Sequence, residues 1–260
     1  MYTHKHIWIV NPFDQLPNES DIPLRFWSLC KELAKNGYNV TWWSSDFSHQ
    51  NKTIRFPCPA TDGFSIKLIK TPPYKKNISL SRIRSHRTFA KNFYIEAINK
   101  LKKNILEKPF RIVISLPPLG VAESAFKIRD YINKETAKDS KNSKLFCEVV
   151  VDIMDAWPEV FYRTFPYKLK YLLAPLLLYP FHISAMFAYK RADKISAVGQ
   201  SYLEIANNYL RNHQKFFFTV PNSKKIQKNL DFDKPTHLCY HGVDLYRFDA
   251  EIILNRSNKY

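Results

Sequence analysis

Glycine is scarce in this sequence, five residues in 260. A phosphate-cradling loop of the Gly-x-Gly-x-x-Gly kind needs several glycines close together, so the count argues against a Gly-rich nucleotide loop. Cysteine is sparse too. Cys30, Cys58, Cys147 and Cys239 form no Cys-x-x-Cys pair and have no histidine at ligand spacing. That pattern excludes a zinc framework or a disulfide-stapled fold and reads as reduced, mostly buried thiols of a cytosolic protein. Acids are in deficit, 23 against 40 Lys and Arg, for a formal net charge of +17. Such an excess suits anionic partners: nucleic acid, anionic lipid or phosphate-bearing substrates. An AT-rich genome also enriches Lys, Asn and Ile, so charge alone selects none of them. A groove-reading motif and an aromatic stacking signature are both missing, which argues against nucleic acid. The apolar run in "MYTHKHIWIVNPFD" is too short for a signal peptide.

Long uncharged runs are also few. The notable one is "YLLAPLLLYPFHISAMFAY", residues 171–189. Its length approaches the ~20 residues of a membrane span, but Pro175 and Pro180 interrupt it. Lys168 and Lys170 before it and Lys190 and Arg191 after it make both ends basic, so no orientation is signalled. The expectation is a bent helix pair, part core and part membrane-facing.

What is present is core material: 45% apolar residues, 15% of the chain being Phe, Trp or Tyr, enough to exclude disorder. Strands are expected at 6–10, 39–43, 64–69, 111–116, 145–152 and 193–198, with two more in "FFFTV" and "THLCYHGV". Helices are expected from about Pro23 to Asn36 with Gly37 as left-handed cap, over 82–107, from Gly120, across 158–190 and over 200–212. Strands alternating with helices imply an α/β fold, a Rossmann-like mostly parallel sheet with helices on both faces. In such sheets the ligand crevice lies outside the carboxyl ends of the strands. Those ends are polar, Pro-rich or acidic here: "NPFDQLPNESD", "SSDFSH", "PPLG" and "DIMDAWPE". The last places Asp152 and Asp155 at a strand tip beside Trp157. Asp155 can take or orient a hydroxyl proton, or it can cap a helix starting near Pro158. Asp152 reads as structural. "DFD" at 231–233 mimics an Asp-x-Asp metal motif but falls in an expected surface loop, so no metal site is assigned.

Four segments together resemble the N-terminal, acceptor-side domain of family-4-type glycosyltransferases of the GT-B fold. They are "NPFDQLPNESDIPLRFWSLCKELAKNGYNV", "WWSSDFSHQNKTIR", the Asp-x-Trp-Pro-Glu segment "DIMDAWPE", and "RADKISAVGQSYLE" followed by "YHGVDLYRF". The resemblance covers nearly the whole chain and points to the bacterial envelope polysaccharide type. It implies a glycosyltransferase N-terminal domain over 1–248 and a truncated interdomain segment over 249–260, without the donor-binding domain. The implied reaction is transfer of a sugar from a nucleotide-sugar to a lipid-linked or glycan acceptor, with retention and without metal or other cofactor. A separate donor domain would be needed as partner. The rival expectation is a catalytically silent binding subunit or a split-gene remnant. The site implied has Asp155 as catalytic residue, with Asn11, Glu19, Arg25, His49, Trp157 and Glu159 toward the acceptor; Arg25 would bind an acceptor phosphate. Lys75, Lys76, Arg82, Arg84, Arg87 and Lys91 form a basic patch expected to face an anionic membrane. The implied location is cytoplasmic, peripheral at the inner face of the cell membrane.

Overall fold

The computed structural model describes residues 6–20, 22–58, 63–138, 146–166, 173–211 and 236–238. Seven strands form one sheet: β1 (His6–Val10), β2 (Asn39–Ser45), β3 (Ser65–Ile69), β4 (Arg111–Leu116), β5 (Glu148–Ile153), β6 (Lys194–Ala197) and β7 (Thr236–Leu238). Their order is β3-β2-β1-β4-β5-β6-β7, and every neighbouring pair is parallel. Among the described residues five α-helices accompany it: α1 (Arg25–Lys35), α2 (Leu80–Lys103), α3 (Gly120–Ala137), α4 (Ala174–Arg191) and α5 (Gln200–Arg211). The fold is thus α/β and Rossmann-like. The strand order reverses direction between β1 and β4, which puts the topological switch point there.

The period-two alternation of the strands sorts their residues onto two faces. Ile7, Ile9, Val40 and Trp42 pack against Phe26 and Cys30 of α1. Trp8, Val10, Trp43, Ile112, Ile114, Val149 and Val151 face the other way, against α2, α3, α4 and α5. The helices therefore lie on both faces, one on the first and four on the second among the described residues. On the crowded face Phe93 of α2 sits 5.3 Å, ring centre to ring centre, from Trp43 and stacks on Phe89.

Three expected boundaries move. The helix foreseen over 82–107 stops at Lys103, because Asn104 leaves helical conformation and its side chain accepts from the Leu106 N–H to start a separate 3₁₀ turn, Ile105–Glu107. The helix from Gly120 continues to Ala137, one turn into the stretch foreseen as solvated loop. The single helical region foreseen over 158–190 splits into a 3₁₀ turn, Glu159–Thr164, and α4. Pro175 lies in the first turn of α4, where its missing N–H costs nothing, and Pro180 lies inside it. Gly37 ends α1 with φ +79°, as its position foretold. Among the described residues no helix is long and apolar enough to cross a membrane.

Phe93 is fully buried. Phe93→Ala is expected to cost about 3–5 kcal/mol, read by urea unfolding followed by circular dichroism, with the native spectrum kept in water.

Candidate functional site

At the carboxyl edge of the sheet, the segments after β1, β2, β3 and β4 and the first turns of α2 enclose a narrow cavity. Pro12, Phe13, Ser45, Tyr74, His86 and Pro118 are among its lining residues. It lies at the switch point.

The walls of this edge are built around Arg55. Its side chain is almost fully buried. It donates from Nε to Glu19 Oε1 at 3.0 Å, from Nη1 to Ser44 Oγ and the Pro12 and Ser45 carbonyls, and from Nη2 to the Asp14 carbonyl at 2.7 Å. A buried guanidinium is tolerated only when its donors are met in this way. Burial lowers its pKa, and the Glu19 carboxylate opposes the shift. Glu19 spends its second oxygen on the Leu16 N–H. Asn11, nearly inaccessible, uses its side-chain oxygen to accept from the Phe13 and Asp14 N–H groups, forming an Asx turn. Glu19 and Asn11 were expected to meet an acceptor. Both use side-chain oxygens to shape the first loop.

Arg25 is also engaged inside the protein. Its guanidinium makes a two-pronged pair with Asp152, at 2.5 and 2.7 Å, and only 11% of its side chain is exposed. Ser196 Oγ also donates to Asp152. The pair staples α1 to β5 and β6 and leaves the Arg25 fork committed away from a ligand phosphate.

The "DIMDAWPE" segment sends its three acids to three different places. Asp152 is buried in the pair just described. Asp155 remains half-buried at the tip; its Oδ1 accepts from the Ala156 N–H at 2.8 Å, and it lies within Coulombic reach of Arg82. It does not cap a helix: Pro158 holds the cap position of the following 3₁₀ turn, with no side-chain cap. Glu159 turns inward. Tyr209 of α5 donates to its Oε1 at 2.6 Å, its Oε2 is buried without a partner, and burial raises its pKa. An acid so enclosed does not reach an acceptor in the crevice, which corrects its expected role. Tyr209 continues through His182 to Tyr162, a polar chain linking α4, α5 and the 3₁₀ turn. Trp157 is 5% exposed, with its ring 4.5 Å from Phe161 and 5.5 Å from His86.

Facing Asp155 is a basic and aromatic cluster that the sequence reading captured only in part. The Arg82 guanidinium lies 5.1 Å from the Trp157 ring centre and 5.8 Å from that of Phe13. His49 Nδ1 is 2.5 Å from the Tyr74 hydroxyl, and Lys52 Nζ is 4.8 Å from the Tyr74 ring centre. Arg82 was expected on the membrane-facing patch; the first turn of α2 directs it inward instead. The remaining patch residues, Lys75, Lys76, Arg84, Arg87 and Lys91, are exposed, and the last three share one face of α2. Lys52, Arg55, Tyr74 and His86 had been given no role. Arg55 and Lys52 stand in the quoted "SHQNKTIR", but nothing local distinguishes a buried arginine from a solvated one.

Among the described residues no group of three metal-binding side chains converges. "DFD" at 231–233, "FFFTV" and "YHGVDLYRF" lie outside the described residues. Burial pushes the Cys147 thiol up to about 12 and raises that of Cys30 further; both are unreactive at neutral pH.

No family model matches the chain, and no curated protein matches it. Among solved structures the chain is similar to a sucrose-phosphate synthase chain from Thermosynechococcus elongatus, with TM-score 0.45, 9% identity and coverage of 98% of this chain and 99% of that one. It is also similar to the apo UGT2 of Phytolacca americana, with TM-score 0.42, 11% identity and coverage of 94% of this chain. The chain spans about half of that second protein, 54% of its length.

Three buried histidines are expected to make the fold acid-sensitive. Burial lowers His49 and His182 to about 4 and His86 to about 3, from an ordinary value of 6.5, with Lys52 and Arg82 adding to the shift of His49. The unfolded chain therefore binds protons first as pH falls, and stability drops with it. The thermal midpoint is expected to hold above pH 6.5 and decline steadily from there to pH 4, with His86→Gln flattening part of the slope in calorimetric scans.

Proposed function

We propose that the chain is the acceptor-side half of a GT-B glycosyltransferase, with Asp155 as the group that orients or deprotonates an acceptor hydroxyl. One observation carries this reading. Of the three acids in "DIMDAWPE", Asp155 alone stays half-buried at the strand tip with neither an ion pair nor an inward bond among the described residues, within Coulombic reach of Arg82, whose guanidinium lies over the Trp157 ring. A carboxylate there can accept a hydroxyl proton in the transition state. The parallel sheet, its switch-point crevice and the order of the four family-like segments support the same reading. The donor is a nucleotide-sugar held by a second domain across the crevice, and the transfer proceeds with retention and without metal. Donor and acceptor must be held together for transition-state stabilisation, so the acceptor half has no transferase activity by itself.

The test combines binding and turnover. Residues 1–260 alone are expected to show no micromolar affinity for UDP-, GDP- or dTDP-sugars by calorimetry. In an assembly that transfers sugar, Asp155→Asn should lower kcat by about 10²-fold or more while the thermal midpoint stays within a few degrees. Equal loss of midpoint and activity, with turnover per folded molecule unchanged, overturns the catalytic role.

The acceptor in this reading is lipid-linked, as part of cell-envelope polysaccharide synthesis, and the protein works at the inner face of the cell membrane. Two surfaces support this. Leu173, Leu176, Leu177, Tyr179 and Ile183 are exposed at and along the first half of α4, and Arg84, Arg87 and Lys91 line an exposed face of α2. Vesicles containing phosphatidylglycerol should sediment the protein at low salt and release it at high salt. Leu176→Ser with Leu177→Ser should weaken the interaction without changing the midpoint of unfolding; sedimentation indifferent to salt and to both substitutions overturns the membrane reading.

A further inference from the structure

The two cations nearest the crevice are held close together by neutral partners. Lys52 comes from the loop after β2 and Arg82 from the first turn of α2. They share Asn77: Lys52 Nζ donates to its Oδ1 at 2.7 Å, and Arg82 Nη1 to its carbonyl at 2.8 Å. Both also lie near Tyr74, whose ring lies under Lys52 and whose hydroxyl is held in its phenol form less strongly because Arg82 is close by. Arg82 Nε donates to His86 Nε2, and Lys52 Nζ lies 3.4 Å from His49 Nδ1. Arg82 has Asp155 at Coulombic range. Burial and then the nearby Arg82 both disfavour the charged form of Lys52. Two like charges brought close together repel, and a bound anion relieves that repulsion.

The backbone adds an independent sign. Lys52 has φ +58° and is the one non-glycine residue with positive φ among those described. A glycine would adopt this conformation without strain. A lysine there carries a conformational cost, and its side chain is what that cost retains.

We propose that Lys52 and Arg82, framed by His49, Tyr74 and Asn77, form a binding site for a phosphate group. Guanidinium and ammonium together suit a tetrahedral oxyanion: Arg82 offers a planar fork and Lys52 a mobile point charge. The aromatic surfaces of Phe13 and Trp157 flank the site and would cover the organic part of a phosphate ester. The site stands on its own geometry. Its further meaning, that the phosphate belongs to the sugar acceptor whose hydroxyl meets Asp155, rests on the proposed function. It also supplies the phosphate contact that Arg25, locked to Asp152, does not make.

The experiment uses inorganic pyrophosphate and phosphate as probes, with chloride and acetate at equal ionic strength as controls, read by calorimetry. Wild-type protein should bind pyrophosphate saturably and acetate not at all. Lys52→Gly should raise the thermal midpoint by relieving the strain and weaken pyrophosphate binding by about tenfold or more. Arg82→Lys, which keeps the charge but loses the fork, should weaken it as well. Arg87→Gln and Lys91→Gln, on the exposed face of the same helix, should leave it unchanged. Pyrophosphate affinity untouched in a stable Lys52→Gly protein overturns the proposal, as does a loss that follows the number of charges removed wherever they lie. Vesicles of phosphatidic acid in phosphatidylcholine separate the two sources of phosphate: a lipid phosphate requires Lys52 for vesicle binding, whereas a soluble phosphate ester competes with pyrophosphate and leaves vesicle binding to Arg84, Arg87 and Lys91. No arm measures sugar transfer, so failure here and failure of the transferase reading are separable.

Discussion

One buried guanidinium governs the shape of the crevice. Arg55 reaches back from the loop after β2 and ties that loop to the carbonyls of Pro12, Asp14 and Ser45, to Ser44 and to Glu19. Desolvating a cation is expensive, and the cost is met only while every one of these acceptors stays in place. The contacts are thus mutually dependent. The first loop is held against the end of β2, which places Phe13 against His49 and His86 and directs the β2 loop toward the N-terminus of α2. The aromatic wall and the cationic pair both follow from that placement.

The sheet provides the frame on which this arrangement is hung. Because strand order reverses between β1 and β4, the segments that leave these two strands diverge and open a space that neither fills. Among the described residues α1 alone lies on one face and four helices lie on the other. The Arg25–Asp152 pair fastens the start of α1 to the end of β5. A two-pronged, almost water-free ion pair is a directional fastener, and directionality is what apolar packing lacks.

The three acids of "DIMDAWPE" show how position within seven or eight residues of chain decides chemistry. Asp152 still belongs to the strand, so its side chain must point to one face, where Arg25 and Ser196 wait. Glu159 has entered the 3₁₀ turn, which rotates it toward α5 and Tyr209. Asp155 stands between strand and turn, bound by neither periodicity. It is the one left beside the crevice, facing the charge of Arg82.

Much of the architecture was readable in the linear chain. Runs such as "HIWIV" and "RIVISL" are strands because buried parallel strands are apolar throughout, and Gly37 ends α1 because a left-handed cap favours a residue without Cβ. Those properties are local: period, turn chemistry and length are written within a dozen residues. The cavity at the strand ends followed from them. The fates of Arg25, Glu19, Asn11 and Glu159 were not readable, nor was the role of Arg55 or Lys52. Arg25 meets an acid 127 positions away, and Arg55 meets one 36 positions away. A charged side chain is identical in sequence whether it is solvated, paired in the core or aimed at a ligand. Only the packing of distant segments sets which groups lose water and must find partners, and so only the tertiary structure decided which charges hold the fold together and which remain at the crevice.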